Sequence, residues 1–248
     1  MISLIIYKYG RLCDKFNRKK HEVQTFFSSL IFNFRYLPYH QAVLLPLWVV
    51  KPTFAKNFKY TGKIEIDCDR IYRKMIKLGV VSNSWYPDSG ISFQINGKII
   101  FHGKCLISNN SSLYVGNAVL DIGENVEIGP SNRIICENGI TIGDNSRIGW
   151  NTQIMDTDFH YIRDAEDLSL SKKDDKIQIG KNNWIASDCR IYKGFKSCDY
   201  VICGSGSKCR GHIDEPYTLW VNKSKLEKVK SNCYRDLSLD PDLISSLT

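Results

Sequence analysis

Isoleucine recurs at every sixth position through the middle of the chain: Ile122, Ile128 and Ile134, then after two extra residues Ile142, Ile148 and Ile154. The step resumes at Ile179, Ile185 and Ile191 and continues through Ser197, Cys203 and Cys209. Glycine follows the marked position at 123, 129, 143, 149, 180 and 204, and a looser copy of the series runs through Ile95, Phe101, Ile107, Leu113 and Val119. A period of six fits neither the 3.6-residue turn of a helix nor the plain two-residue alternation of a strand. It fits a solenoid of short strands joined by tight corners, one hexad to a face and three faces to a triangular coil. Each marked residue then points into the prism, and the glycine after it turns a corner in a conformation that a Cβ would penalise. Coils stack about 4.8 Å apart and bury a continuous isoleucine column.

The flanks follow other rules. Val23, Phe26, Phe27, Leu30, Ile31 and Phe34 fall at i, i+3, i+4 spacing, which predicts an amphipathic helix with one aromatic-rich face, closed by Pro38. Leu44, Leu45, Leu47 and Trp48 make an apolar connection around Pro46, and Ile64 and Ile66 alternate as a short strand. Beyond the repeat, Ser224-Lys225-Leu226-Glu227 has the form of a capping box, and Leu226, Val229 and Cys233 continue at helical spacing. The expected chain is therefore mainly β. It divides into a helix-containing region over 1–90, a parallel β-solenoid over 91–221 with an external loop at 155–176, and a short helix and tail over 222–248 that protect the open end.

Charge changes the picture at one end only. Of the formal +8 on 248 residues, residues 1–90 contribute +9 and residues 91–248 contribute −1. No nucleic-acid motif accompanies the basic region, so no nucleic-acid partner is expected. Its aromatic helix and the Leu44 to Trp48 segment suit an anionic membrane surface, yet packing of the aromatic face onto the prism or a neighbouring copy is the favoured expectation. Nine cysteines without a C-x-x-C pair indicate neither a disulfide framework nor a zinc ribbon, which favours a reducing, cytoplasmic setting. The longest wholly apolar run, Ala42 to Val50, is too short for a spanning helix and holds Pro46. No signal peptide is read at the start.

The hexads resemble those of the hexapeptide-repeat acyltransferases, over about residues 91–226. ITIGDNSRIGWNTQI, ending at Ile154, resembles the coil before that family's active-site loop, and IMDTDFH at 154–160 resembles the loop start that carries its catalytic histidine. IQIGKNNWIASDCRIYKGF at 177–195 and VICGSGS at 201–207 resemble its terminal coils. The resemblance implies a left-handed parallel β-helix, a homotrimer and acetyl-CoA as donor. It is strongest to O-acetyltransferases of cell-surface polysaccharide, such as capsule or O-antigen. Two departures stand out. Ser197 and Cys198 replace an aliphatic residue and Gly, and Val221-Asn222-Lys223-Ser224-Lys225 replaces Gly-x-Pro-Ala-Lys.

Between Ile154 and Ile177 the repeat gives way to a long polar insertion, where function commonly resides. Transfer of an acyl group to a hydroxyl needs a base for the hydroxyl proton, and an unperturbed imidazole, with a pKa of about 6.5, suits that task. His160 is the candidate base; a solvated histidine in an acidic loop is the competing reading on spacing alone. Asp158 is the preferred carboxylate to orient it, with Asp156 the alternative and a candidate contact to the acceptor. No Cys or Ser beside a base marks the loop, so direct transfer is expected.

The resemblance places the donor's pantetheine arm against Gly204, Ser205, Gly206 and Ser207, where small residues let a ligand approach backbone, although plain corner turning explains them equally well. Lys208, Arg210, Lys223 and Lys225 follow as candidate phosphate contacts. Trp150 and Trp184 flank marked isoleucines and should face outward, either to stack on a sugar ring or to pack on another copy. His21, His40, His102 and His212 read as structural or exposed. Cys203, Cys209 and His212 invite a zinc reading, but both cysteines hold the inward register, so no metal is expected. Three further readings remain: N-acetyl transfer to an amino-sugar nucleotide, a metal-dependent hydratase needing three histidines, and a non-catalytic β-helix scaffold.

Overall fold

The computed structural model describes residues 2–54, 61–161, 163, 169–222 and 226–231. Within them the hexads wind into a three-sided, left-handed parallel β-helix. Its first face is a nine-stranded sheet, and its second and third faces are seven-stranded sheets. One coil supplies one strand to each. In the fifth coil Arg147–Ile148 lies on the first face, Gln153–Met155 on the second and Ile177–Ile179 on the third.

Like stacks on like inside the prism. Ile107, Ile128, Ile148, Ile185 and Cys203 form one inward column, Ile134, Ile154, Ile191 and Cys209 a second, and Ile122, Ile142 and Ile179 a third. All are buried, each isoleucine contributing on the order of 1.5–3 kcal/mol. Ser197 occupies an inward place with its hydroxyl satisfied, accepting a 2.7 Å hydrogen bond from Asn183 Nδ2. Val119 departs from the expected column, because Leu120 points inward and Val119 is exposed.

The glycines serve a purpose other than the one expected of them. Those at 123, 129, 143, 149 and 180 do not have positive φ; the left-handed residue falls two positions later, at Asn125, Ser131, Asn145, Asn151 and Asn182. Asparagine tolerates that conformation. What the glycines provide is room for the next coil. A Cβ on Gly143 would lie 2.6 Å from the Gly180 carbonyl carbon, and one on Gly149 would lie 2.5 Å from the Ser187 nitrogen.

Both ends of the prism correct the sequence reading. The stack begins at Leu47 rather than near residue 91: Leu47–Val49, Pro52–Phe54 and Lys63–Ile66 form a full coil, and Ile76–Val80 opens the next. Loops of unequal length between these strands conceal the period. At the other end, Leu226–Lys230 is a strand antiparallel to Thr218–Asn222, with a bulge at Leu219/Trp220, and not the expected helix. An open sheet edge offers backbone partners that an isolated helix cannot use. Cys233 and the tail lie outside the described residues.

The N-terminal helix, Ile2–Tyr36, ends before Pro38 as expected but packs the other way round. Its buried stripe is Thr25, Ser29, Phe32, Asn33 and Tyr36. Asn33 donates to the Leu47 carbonyl at 2.7 Å and accepts from the Leu47 nitrogen at 3.1 Å; Ser29 Oγ accepts from the Val49 nitrogen at 2.8 Å. The helix thus satisfies the first strand's free edge through side chains, as another coil would through backbone. Only part of its aromatic face is covered, Phe26 and Leu30 being half-buried. Val23, Phe27, Ile31 and Phe34 are exposed.

Candidate active site

The polar insertion leaves the prism after Gln153–Met155, on the second face, and returns at Ile177–Ile179, on the third. It therefore projects from the corner opposite the first face. Its described part doubles back on itself: Thr157 bridges Asp174, Arg163 bridges Leu170, Asp158 N donates to Lys173 O at 2.9 Å, and Asp175 N donates to Asp156 O at 2.9 Å. The insertion is an arm with a paired base.

Asp156 fixes where that arm starts. Its carboxylate is fully buried and accepts three backbone N–H bonds, from Glu137 at 2.7 Å, Asn138 at 2.9 Å and Gly139 at 2.7 Å. Both oxygens are engaged, so the expected contact to the acceptor is corrected to a positioning role. Next to it the Thr157 hydroxyl, itself buried, accepts from Phe159 N at 2.9 Å in a tight turn that puts Phe159 at φ +61°. The Phe159 ring meets Tyr114 edge-on at 6.4 Å. Tyr114 donates to Glu137; burial first, and that hydrogen bond second, push its hydroxyl up to about 12.

His160 follows this turn and is exposed. No hydrogen bond ties its ring to the described residues. Asp158 does not orient it as expected; its carboxylate pairs with Lys193 at 2.6 Å, and Lys193 also reaches the Lys172 carbonyl across the arm. Within one chain, His160 is held out to solvent on a braced support.

The tryptophans face outward as expected, and they lie on the opposite side. The first face's outward row runs through Leu106, Glu127, Arg147 and Trp184. A groove of about 330 Å³ lies over this row and the neighbouring corner, lined by Asn83, Glu127, Arg147, Trp150, Trp184 and Ser187. Arg147 Nε sits 3.4 Å from Glu127 Oε2 at its floor, and Trp85 meets Trp150 edge-on at 5.9 Å. The aromatic walls and the paired charges suit a polar ring with apolar faces.

Gly204 to Ser207 form the corner that stacks on Ser187, so the Gly-Ser segment continues the groove's edge. Gly206 N and Ser205 Oγ both donate to Ser187 O at 2.9 Å. A Cβ on Gly204 would meet Val221 Cγ1 at 2.5 Å, whereas Gly206, at φ +76°, has open space on its outer side. Ser207 Oγ is buried with no partner among the described residues. Lys208 is exposed beside Arg190 on the second face, and Arg210 lies 4.1 Å over the Tyr192 ring. Lys223 and Lys225 lie outside the described residues.

His102, expected to be structural or exposed, is half-buried between two carboxylates. His102 Nε2 is 3.1 Å from Asp121 Oδ1, and its Nδ1 is 3.5 Å from Asp67 Oδ2, beside a cavity of about 520 Å³. Its two carboxylates sit 35 residues before it and 19 after it in sequence, on adjoining coils, so no local pattern pairs them. The buried thiols of Cys105, Cys136, Cys189 and Cys203 are poorly suited to nucleophilic attack. Burial raises those of Cys105 and Cys136 and pushes Cys189 up to about 12, while Cys203 is raised by its hydrogen bond with Cys209 ahead of burial.

No family model matches the chain. It is 28% identical over 154 residues to an uncharacterized 24.8 kDa protein in the cps region of Klebsiella pneumoniae, a match covering 56% of this chain and 64% of that one. The chain thus spans less than two thirds of that relative. Among solved structures it is similar to the polySia-specific acetyltransferase NeuO, with a TM-score of 0.51 at 16% identity over 79% of this chain and 90% of the other. It is similar at a TM-score of 0.42 to a variant of AntD, an N-acyltransferase from Bacillus cereus crystallised with coenzyme A, at 15% identity over 74% and 89% of the two chains. These likenesses concern the fold.

Proposed function

We propose that the protein is an acyltransferase that moves acetyl from CoA to a hydroxyl of a saccharide used in cell-surface polysaccharide synthesis, and that it acts in the cytoplasm as a homotrimer. The observation that carries the reading is the placement of His160 on a braced arm opposite the tryptophan groove of the same prism. The two meet when the arm of one copy reaches the groove of the next. Three such contacts close a ring, because the same arm-to-groove contact repeats around a threefold axis. The cps-region relative and the acetyltransferase fold support the substrate class.

In this site the donor lies along the corner that carries Gly204, Ser205, Gly206 and Ser207, with Lys208 toward its phosphates. Trp150 and Trp184 wall the acceptor. His160 takes the hydroxyl proton as the oxygen attacks the thioester carbonyl, and a backbone N–H at the corner stabilises the oxyanion. Collapse breaks the C–S bond, and the imidazolium returns its proton to the CoA thiolate. The products are an ester and free CoA thiol.

A free-thiol assay with acetyl-CoA tests this against saccharides bearing hydroxyl groups only and against amino-sugar nucleotides. Thiol release is expected with the hydroxyl acceptors. Release with amino acceptors alone would replace the O-transfer reading by N-transfer, and absence of CoA binding in calorimetry would leave a non-catalytic scaffold.

A further inference from the structure

The N-terminal helix buries a mixed stripe of Thr25, Ser29, Phe32, Asn33 and Tyr36 and exposes an apolar one. Val23, Phe27, Ile31 and Phe34 run down the side away from the prism, with Phe27 56% and Ile31 67% exposed. The Phe34 ring lies 6.0 Å from that of Tyr39, which is 76% exposed and extends the patch beyond the helix end. The opposite side of the helix hydrogen-bonds to Leu47 and Val49 at the first coil's edge. The apolar row therefore covers the N-terminal end of the stack and looks outward along it.

Charge surrounds this row. Residues 1–36 hold seven Lys and Arg against two Asp and Glu. Lys19 and Lys20 are exposed, and the exposed Arg73 places its guanidinium 5.9 Å from the Phe26 ring at the patch border. A second copy docking here would bring the same cations against these. An anionic bilayer accepts both features at once: the aromatic and aliphatic side chains enter the acyl boundary, and the cations meet headgroup phosphates. No helix among the described residues is long and apolar enough to cross a membrane, so the fit is to a surface.

We propose that the exposed face of the N-terminal helix, with Tyr39 and the cations of Lys19, Lys20 and Arg73, is a docking surface for an anionic lipid bilayer. The bound enzyme stands with its prism axis directed away from the membrane. This surface lies apart from the arm and the groove, so it holds whether or not the acyl-transfer reading does.

The test is co-sedimentation of the full-length protein with vesicles of phosphatidylcholine alone and of phosphatidylcholine mixed with phosphatidylglycerol. Binding is expected to the anionic vesicles at low salt and to weaken as salt screens the cations. Phe27→Asp with Ile31→Asp, at two exposed positions, is expected to weaken binding by about tenfold or more. Lys19→Glu with Lys20→Glu is expected to weaken it severalfold, and both double variants should keep the wild-type melting temperature and oligomeric mass. Three results would overturn the proposal: no binding of the wild type at low salt, undiminished binding of Phe27→Asp/Ile31→Asp, or loss of oligomeric mass in that variant with no vesicle binding by either protein. The last would assign the patch to a contact between copies.

Discussion

His160→Ala is expected to lower acyl transfer by about a thousandfold, within the range that a positioned acid–base group supplies, and to leave melting temperature and CoA binding unchanged. The separation is possible because the imidazole is exposed and hydrogen-bonds to none of the described residues, so its removal creates no cavity and strands no buried group. His102→Ala is the matched control. That histidine has the better carboxylate geometry within one chain, between Asp67 and Asp121, but it ties three consecutive coils together at the third face, whereas the tryptophan groove lies over the first. Near-wild-type turnover is expected for His102→Ala. The reverse pattern, with activity lost there and kept in His160→Ala, would move the chemistry to the Asp67–His102–Asp121 cluster.

The second large effect belongs to Asp156. Replacement by Ala is expected to cost about 3 kcal/mol or more, because it leaves three buried backbone N–H groups without an acceptor. Asn restores the size of the side chain but puts an NH₂ group where an oxygen accepts, so Asp156→Asn is also expected to be destabilised. Turnover should fall with stability in both, since the arm that presents His160 starts at this carboxylate. Chemical denaturation compared with initial rates checks the pair. A denaturation midpoint within error of wild type for Asp156→Ala would mean that the carboxylate does not hold the arm.

Much of the fold is written in the hexads because a column of inward isoleucines has to repeat at the coil length. Ile122, Ile142 and Ile179 stack in register although an insertion separates the last two. The first coils are harder to read, since Leu47, Ile64, Ile76 and Phe93 are separated by loops of unequal length and have no fixed period. The helix misled for a different reason. Apolar spacing locates an amphipathic face, but the partner here is a strand edge whose free N–H and C=O groups select Ser29 and Asn33. Leu226 and Val229 likewise fit helical spacing, yet the neighbouring edge at Thr218–Asn222 takes Leu226–Lys230 as a strand.

The site was legible as residue types rather than as an arrangement. The break in the repeat identified the arm, and the position directly before Ile185 placed Trp184 outside the prism, whereas Trp150 follows Ile148 by two residues and sits at a corner. Asp156 and Asp158 look alike in sequence, and only packing separates them: one is buried under the backbone of 137–139, the other paired with Lys193. That the arm and the groove lie on opposite sides depends on which face each strand joins. Local sequence does not carry that information.

A site shared between copies should let two inactive variants restore each other. His160→Ala retains the groove, and Trp184→Ala retains the arm. Unfolded together in equal amounts, refolded and assayed for thiol release, they are expected to regain activity in about a quarter of the interfaces of randomly mixed trimers, where an intact arm faces an intact groove. Each variant refolded alone should remain inactive. Mixed assemblies that form and show no more activity than the separate variants would contradict a site built from His160 of one copy and Trp184 of the next.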